Sequence, residues 1–75
     1  MRRFLIVIEK GRRGYGAYSP DLPGCVAVGR TRTEVEKKMW EAVGLHVRGM
    51  KEDGIPIPAG HSVAEYMAIP EPALK

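Results

Sequence analysis

Apolar residues stand in short continuous runs in the first part of this chain and recur at helical spacing in the middle, and that change divides it. From Arg3 to Glu9 the residues are mostly β-branched or aromatic, in a run too short for a helix, which predicts a first strand. Lys10 to Gly14 holds two glycines and reads as a turn. Tyr15 to Ser19 is expected as the second strand, and the pair as an antiparallel hairpin with a five-residue loop. Gly14 and Gly16 flank Tyr15, so a bulge or a close backbone approach is expected there. Pro20-Asp21-Leu22-Pro23-Gly24 then forces a stiff, bent connection, because proline fixes φ and glycine permits positive φ. Cys25 to Val28 is the expected third strand, ended by Gly29.

A period of 3.6 then begins. Thr31 is placed as an N-cap with Glu34 three residues on, the capping-box spacing in which hydroxyl and carboxylate each satisfy an orphan backbone N–H. Val35, Met39, Ala42, Val43, His46, Val47 and Met50 recur at three and four and form one helical face. Glu34, Lys37, Lys38, Glu41, Arg48, Lys51 and Glu52 form the opposite face, where Lys37–Glu41 and Arg48–Glu52 are spaced to pair. Gly54 suits the position after the C-cap, and Pro56 cannot continue the helix. The spacing predicts a helix of about 20 residues, roughly 30 Å long. Ile55 to Pro58 is extended, because residues before proline avoid the α region. Residues 59–62 read as a loop. Residues 63–69 alternate as a fourth strand would, although Ser62 and Glu65 also fit a short capped helix; the strand is the favoured reading. Residues 70–75 read as a tail.

The expected fold is therefore α+β, in the order β-β-β-α-β. It is a small antiparallel sheet with one long helix packed on one face, in a single domain over 1–75 with its core in 3–69. Both sheet faces are apolar: Phe4, Ile6 and Ile8 oppose Leu5 and Val7, and Cys25 and Ala27 oppose Val26 and Val28. One helix covers one face, whereas a sheet with a wetted side should carry polar residues there. The leftover face predicts a partner, another copy of the chain or another protein. Either Phe4, Ile6 and Ile8, or Leu5 and Val7, line it. Trp40 sits at the edge of the helix's apolar face and, with Tyr15, is a candidate anchor for an oligomer or partner interface.

Size sharpens that expectation. In 75 residues a single core rarely supplies more than about 3–5 kcal/mol. Cys25 is the only cysteine, so a disulfide within the chain is impossible, and oligomerisation, as a dimer or tetramer, is the remaining common staple. With 44% hydrophobic residues, the chain is not compositionally disordered. The apolar run Phe4 to Ile8 is too short for a signal peptide and nothing approaches a membrane span, so a cytoplasmic protein without membrane contact is expected.

The net charge of +3 is concentrated in the first hairpin, where Arg2, Arg3, Lys10, Arg12 and Arg13 face Glu9 alone. Such a cluster suits phosphate or an acidic partner, which makes a nucleic-acid-binding protein the alternative reading. It equally suits an edge strand protected from strand addition. Catalysis finds little support. A two-metal nuclease needs converging carboxylates, and Glu9, Asp21 and the helix acids are scattered over different elements. Cys25 and His46 have the types of a nucleophile and base but lack an orienting third group; a buried thiol near a core histidine is the better reading. His61 falls in a solvated loop. No catalytic residue, metal site or cofactor is assigned.

Tyr18 with Pro20-Asp21-Leu22-Pro23-Gly24-Cys25, Gly29-Arg30-Thr31, Glu41-Ala42 and Gly54-Ile55-Pro56 together resemble the N-terminal domain of the HicB antitoxin family, over about residues 4–60. The resemblance implies a partial ribonuclease-H-like fold and a non-enzymatic domain that binds and neutralises HicA, a small RNA-cleaving toxin. Many family members add a C-terminal DNA-binding domain. With the chain ending at Lys75, no such domain and no direct DNA binding are expected. Arg12, Arg13, Arg30 and Arg32 make the hairpin and helix start more basic than the resemblance implies, and Met39 stands where a polar residue is expected.

Overall fold

The computed structural model describes residues 2–74. Three strands, β1 (Val7–Lys10), β2 (Tyr15–Tyr18) and β3 (Val26–Gly29), precede one helix, α1 (Arg32–Glu52). The sheet runs in the order β1-β2-β3 with antiparallel neighbours, and α1 packs on it, chiefly against β3 and β2. The α+β arrangement of a meander followed by one long helix is as the sequence predicts. No helix among the described residues is long and apolar enough to cross a membrane.

The strand bounds differ from expectation for identifiable reasons. β1 starts at Val7 rather than Arg3, because β2 leaves the sheet at Ser19 and Pro20 and the preceding residues have no ladder partner. Lys10 pairs with Tyr15, which shortens the hairpin loop to Gly11–Gly14. Glu9, Gly16 and Val28 stand in continuous register, with no bulge at Gly16. Gly29 pairs with Tyr15 and so belongs to β3 rather than ending it. The proline-bracketed turn closes on itself: Leu22 N–H donates to the Ser19 carbonyl at 3.2 Å, and Cys25 N–H to the Leu22 carbonyl at 3.1 Å. This drives Leu22 inward, where it is 1% exposed.

Both helix ends follow from local chemistry. The Thr31 hydroxyl accepts from Glu34 N–H at 3.0 Å, as an N-cap should. The reciprocal bond falls one residue early, since the Glu34 carboxylate accepts from Arg30 N–H at 3.1 Å. Arg30 and Lys38 together hold the Glu34 carboxyl below its usual range. At the far end Gly54 takes φ +68°, its N–H donates to Lys51, and Ile55 N–H donates to Met50 at 2.8 Å. That is a Schellman stop, which requires the left-handed conformation glycine tolerates. The exposed ion pairs are Arg32–Glu36 and Glu34–Lys38, at 3.1 and 3.3 Å. The pairs Lys37–Glu41 and Arg48–Glu52 do not form among the described residues. Exposed pairs contribute only about 0.2–1 kcal/mol, so little depends on the difference.

The core is Ala17, Leu22, Cys25, Val35 and Met39, with the remaining helical face, Ala42, Val43, Val47 and Met50, half-buried around it. Five buried residues is a small core, in keeping with the size argument. The expected fourth strand does not form: residues 63–69 carry neither strand nor helix. An isolated extended segment has no ladder to satisfy its backbone, and this one pairs with nothing among the described residues. Part of the expected tail, Glu71–Leu74, winds into one 3₁₀ turn; Lys75 lies outside the described residues.

Candidate functional site

Register decides which sheet face the helix covers. Ile8, Ala17 and Ala27 stand opposite one another, and buried Ala17 places that row under α1. Side chains alternate along a strand, so Phe4 and Ile6 share the helix side with Ile8. All three are half-buried against the core. Phe4, Ile6 and Ile8 therefore do not line the open face, which corrects one of the two sequence alternatives. The outward set is Leu5, Val7 and Glu9, continued by Tyr18 and Val26 beside Val7 and by Gly16 and Val28 beside Glu9. Val26 is 64% and Val28 71% exposed, with no polar residue between them on that face of β3.

Two further surfaces flank the sheet. Between β1 and α1 runs an apolar groove of about 430 Å³, walled by Phe4, Ile6, Ile8, Met39, Trp40 and Val43. Trp40 forms its outer lip and is 80% exposed. Tyr15, the other candidate anchor, is half-buried against the core on the opposite side. At the hairpin end lies a wider basic groove of about 770 Å³, where Lys10, Arg13, Arg30 and Lys38 meet Glu9 and Glu34 over Tyr15. Of the five cations of the first hairpin, only Lys10 and Arg13 reach this groove. Arg2 lies at the apolar groove and donates to the Ile57 carbonyl at 3.3 Å, Arg3 lines a third hollow, and Arg12 is exposed elsewhere. Arg30 and Lys38, which complete the basic groove, come from the strand–helix junction and the helix, and only the packing of α1 brings them to the hairpin.

Asp21 holds a structural tie that its place in a turn gave no sign of. Its carboxylate accepts from Leu5 N–H at 2.8 Å and from Ser62 N–H at 3.1 Å, joining residues 16 and 41 positions away. The Ser62 hydroxyl and the Leu5 amide hold its carboxyl below the usual range. Because the folded protein favours the charged form, this tie contributes fully above the unfolded value of about 3.9. It is lost as pH falls through the lowered folded value. Thermal melts from pH 7 to 2 should show stability falling below about pH 4, and Asp21→Asn should flatten that fall; an unchanged profile in the variant would assign the acid transition elsewhere.

The catalytic alternatives gain nothing from the geometry. Cys25 is buried and burial raises its thiol pKa, the reverse of an activated nucleophile. Among the described residues no hydrogen bond joins it to His46, and no three His, Cys, Asp or Glu side chains converge as a metal site.

Comparison with known proteins gives the chain a family. The profile of the HicB-like antitoxin of bacterial toxin–antitoxin systems matches residues 4–73. The chain belongs to the HicB-like antitoxin family. The match takes in the segment after residue 62 as well as the sheet and helix, so that extended segment is part of the family's domain. Among solved structures, this HicB-like chain is similar to a chain of the HicA3 and HicB3 toxin–antitoxin complex, at 29% identity and TM-score 0.64 over 79% of this chain and 72% of that one. It is 38% identical over 66 residues to an uncharacterised 14.9 kDa protein of Haemophilus phage HP1, covering 88% of this chain and 50% of the relative. It is 38% identical over 47 residues to a UPF0150 protein of Helicobacter pylori, covering 63% of this chain and 65% of the relative. The HicB-like chain thus spans half to two thirds of the length of these curated relatives.

Proposed function

We propose that this HicB-like domain is a non-enzymatic antitoxin that binds and neutralises a small RNA-cleaving toxin of the HicA type in the cytoplasm, and that it self-associates through its sheet. The observation that carries the reading is the likeness to a chain of a solved toxin–antitoxin complex over most of this domain, at 29% identity. The outward apolar face, with Tyr18, Val26 and Val28 exposed and Leu5 and Val7 half-buried, suits protein docking. This patch of β-branched and aromatic residues gains from burial, with the Glu9 charge at its hairpin end, in register with Gly16 and Val28. The chain acts by occupying the toxin rather than by chemistry of its own.

Co-expression tests this. A HicA-type toxin from the same genome should arrest growth when expressed alone, and this chain should relieve the arrest and copurify with the toxin. Arrest that persists with the chain present and folded contradicts the reading. The basic groove of Lys10, Arg13, Arg30 and Lys38 supports one second reading, binding to nucleic acid. That reading requires RNA affinity at low salt that falls steeply as salt rises.

A further inference from the structure

Two features of this chain have no partner among the described residues, and each has the form of the other. The first is the outer edge of β1. It is an edge strand, so the backbone groups on that side have no ladder partner. Directly beside the edge lies the apolar groove of Phe4, Ile6, Ile8, Met39, Trp40 and Val43. The second is the arm after Ser62. Val63, Tyr66, Met67 and Ile69 are 81%, 105%, 75% and 49% exposed on a segment with no regular structure. An apolar alternating strand sequence standing in water is a pairing segment without its sheet.

We infer that the arm of one copy, residues 63–69, adds as a strand along the β1 edge of a second copy and fills the groove under Trp40, with the exchange made symmetrically. Three observations select a second copy's arm as the occupant. The arm's root is fixed: Ser62 N–H and Leu5 N–H share the Asp21 carboxylate, and a Cβ on Gly60 would run into the Arg3 carbonyl oxygen. The chain therefore passes residues 3–5, ahead of its own β1, in close contact and then continues as an exposed segment, in a molecule 52 Å along its long axis. Charge agrees as well. Residues 2–13 carry Arg2, Arg3, Lys10, Arg12 and Arg13 against Glu9, with Arg2 and Glu36 lining the groove itself, whereas residues 62–74 carry Glu65 and Glu71 and no lysine or arginine. The basic residues flanking the neutral β1 edge repel their counterparts in a second copy and attract the acidic arm. Finally, edge and arm lie on one chain, so a two-fold axis satisfies both arms at once and closes the assembly as a dimer. A stable interface buries roughly 1,200–2,000 Å², and the symmetric exchange contributes two arms and two grooves to it. The exchange also supplies the second apolar contribution that a five-residue core lacks.

The inference rests on the self-association proposed above and is independent of the toxin. The test uses the full chain. Its mass in solution, by light scattering on a sizing column, should be that of a dimer. Tyr66→Asp with Met67→Asp, both on the exposed arm and outside the protomer's core, should weaken dimerisation at least tenfold while leaving the circular dichroism of the fold intact. Trp40→Cys chains mixed with Met67→Cys chains should give a covalent mixed dimer with a short thiol cross-linker, since buried Cys25 is shielded. A monomeric wild type overturns both self-association and the exchange. A dimer untouched by the arm substitutions overturns the exchange alone and assigns the contact to the outer face. Cross-linking within one chain carrying both cysteines, in place of mixed dimers, shows the arm on its own β1 and likewise overturns it.

Discussion

Leu22→Ala and Met39→Ala are each expected to leave the isolated chain largely unfolded at 25 °C. Both side chains are about 1% exposed and sit at the centre of a core of five residues. Removing a buried Leu or Met side chain costs about 2–5 kcal/mol, the lost transfer energy plus the cavity left behind. A domain of this size draws only about 3–5 kcal/mol from its core. The loss and the reserve are thus of one size, and little remains for the backbone to fold against. Leu22 is the more sensitive of the two, because it sits in a turn held by its own hydrogen bonds to Ser19 and Cys25, with little freedom to collapse into a cavity. Urea titration followed by circular dichroism checks this. A midpoint within about 0.5 M of wild type, against the ordinary urea slope of about 1–3 kcal/mol per M, would contradict the account of the core. The same substitutions in the presence of a bound partner should be milder, since binding to the folded state alone adds stability by mass action.

The second large effect is expected on the outer face. Val26→Asp with Val28→Asp should abolish relief of toxin arrest and weaken toxin binding by two to three orders of magnitude. Each valine stands more than half exposed on the free protein, so a carboxylate there costs the fold little. In a complex that buries this face, each carboxylate would be desolvated without a partner. Leaving a central contact unpaired in that way costs about 2 kcal/mol or more per hot-spot position, and two positions give roughly a thousandfold. The control is Arg12→Glu, an exposed change in the hairpin loop, outside the ladder that forms the face, which should alter the salt dependence of association and leave the complex intact. Full relief of arrest by the double variant would remove the outer face from the toxin contact.

Much of this was legible in the sequence wherever the deciding interaction is local. Thr31, Glu34 and Gly54 act within a turn of the backbone they terminate, and the helix ends where those residues require. The apolar spacing from Val35 to Met50 settles its buried face for the same reason. Strand ends are not local. Residues 3–6 have strand composition, yet their pairing depends on where β2 turns away, which Pro20 decides from the other side of the sheet. Residues 63–69 alternate as a strand does, but alternation states only that a segment can pair, and its ladder partner is not among the described residues of the same chain. The two sheet faces were equally apolar, so parity alone left them equivalent until the burial of Ala17 distinguished them. Asp21 was readable as a turn former. Its bonds to Leu5 and Ser62 join segments far apart in the chain, and one sequence holds no trace of that contact.

The central claim is that this HicB-like domain neutralises a HicA-type toxin by occupying it, and a titration of RNA cleavage tests that most directly. Purified toxin at fixed concentration would be incubated with a structured RNA and rising amounts of the full chain. The account predicts that cleavage falls linearly and stops at a whole-number ratio of chain to toxin, with a stable complex of that composition on a sizing column. Cleavage that continues undiminished at a tenfold excess of folded chain, with the two proteins eluting apart, would contradict it.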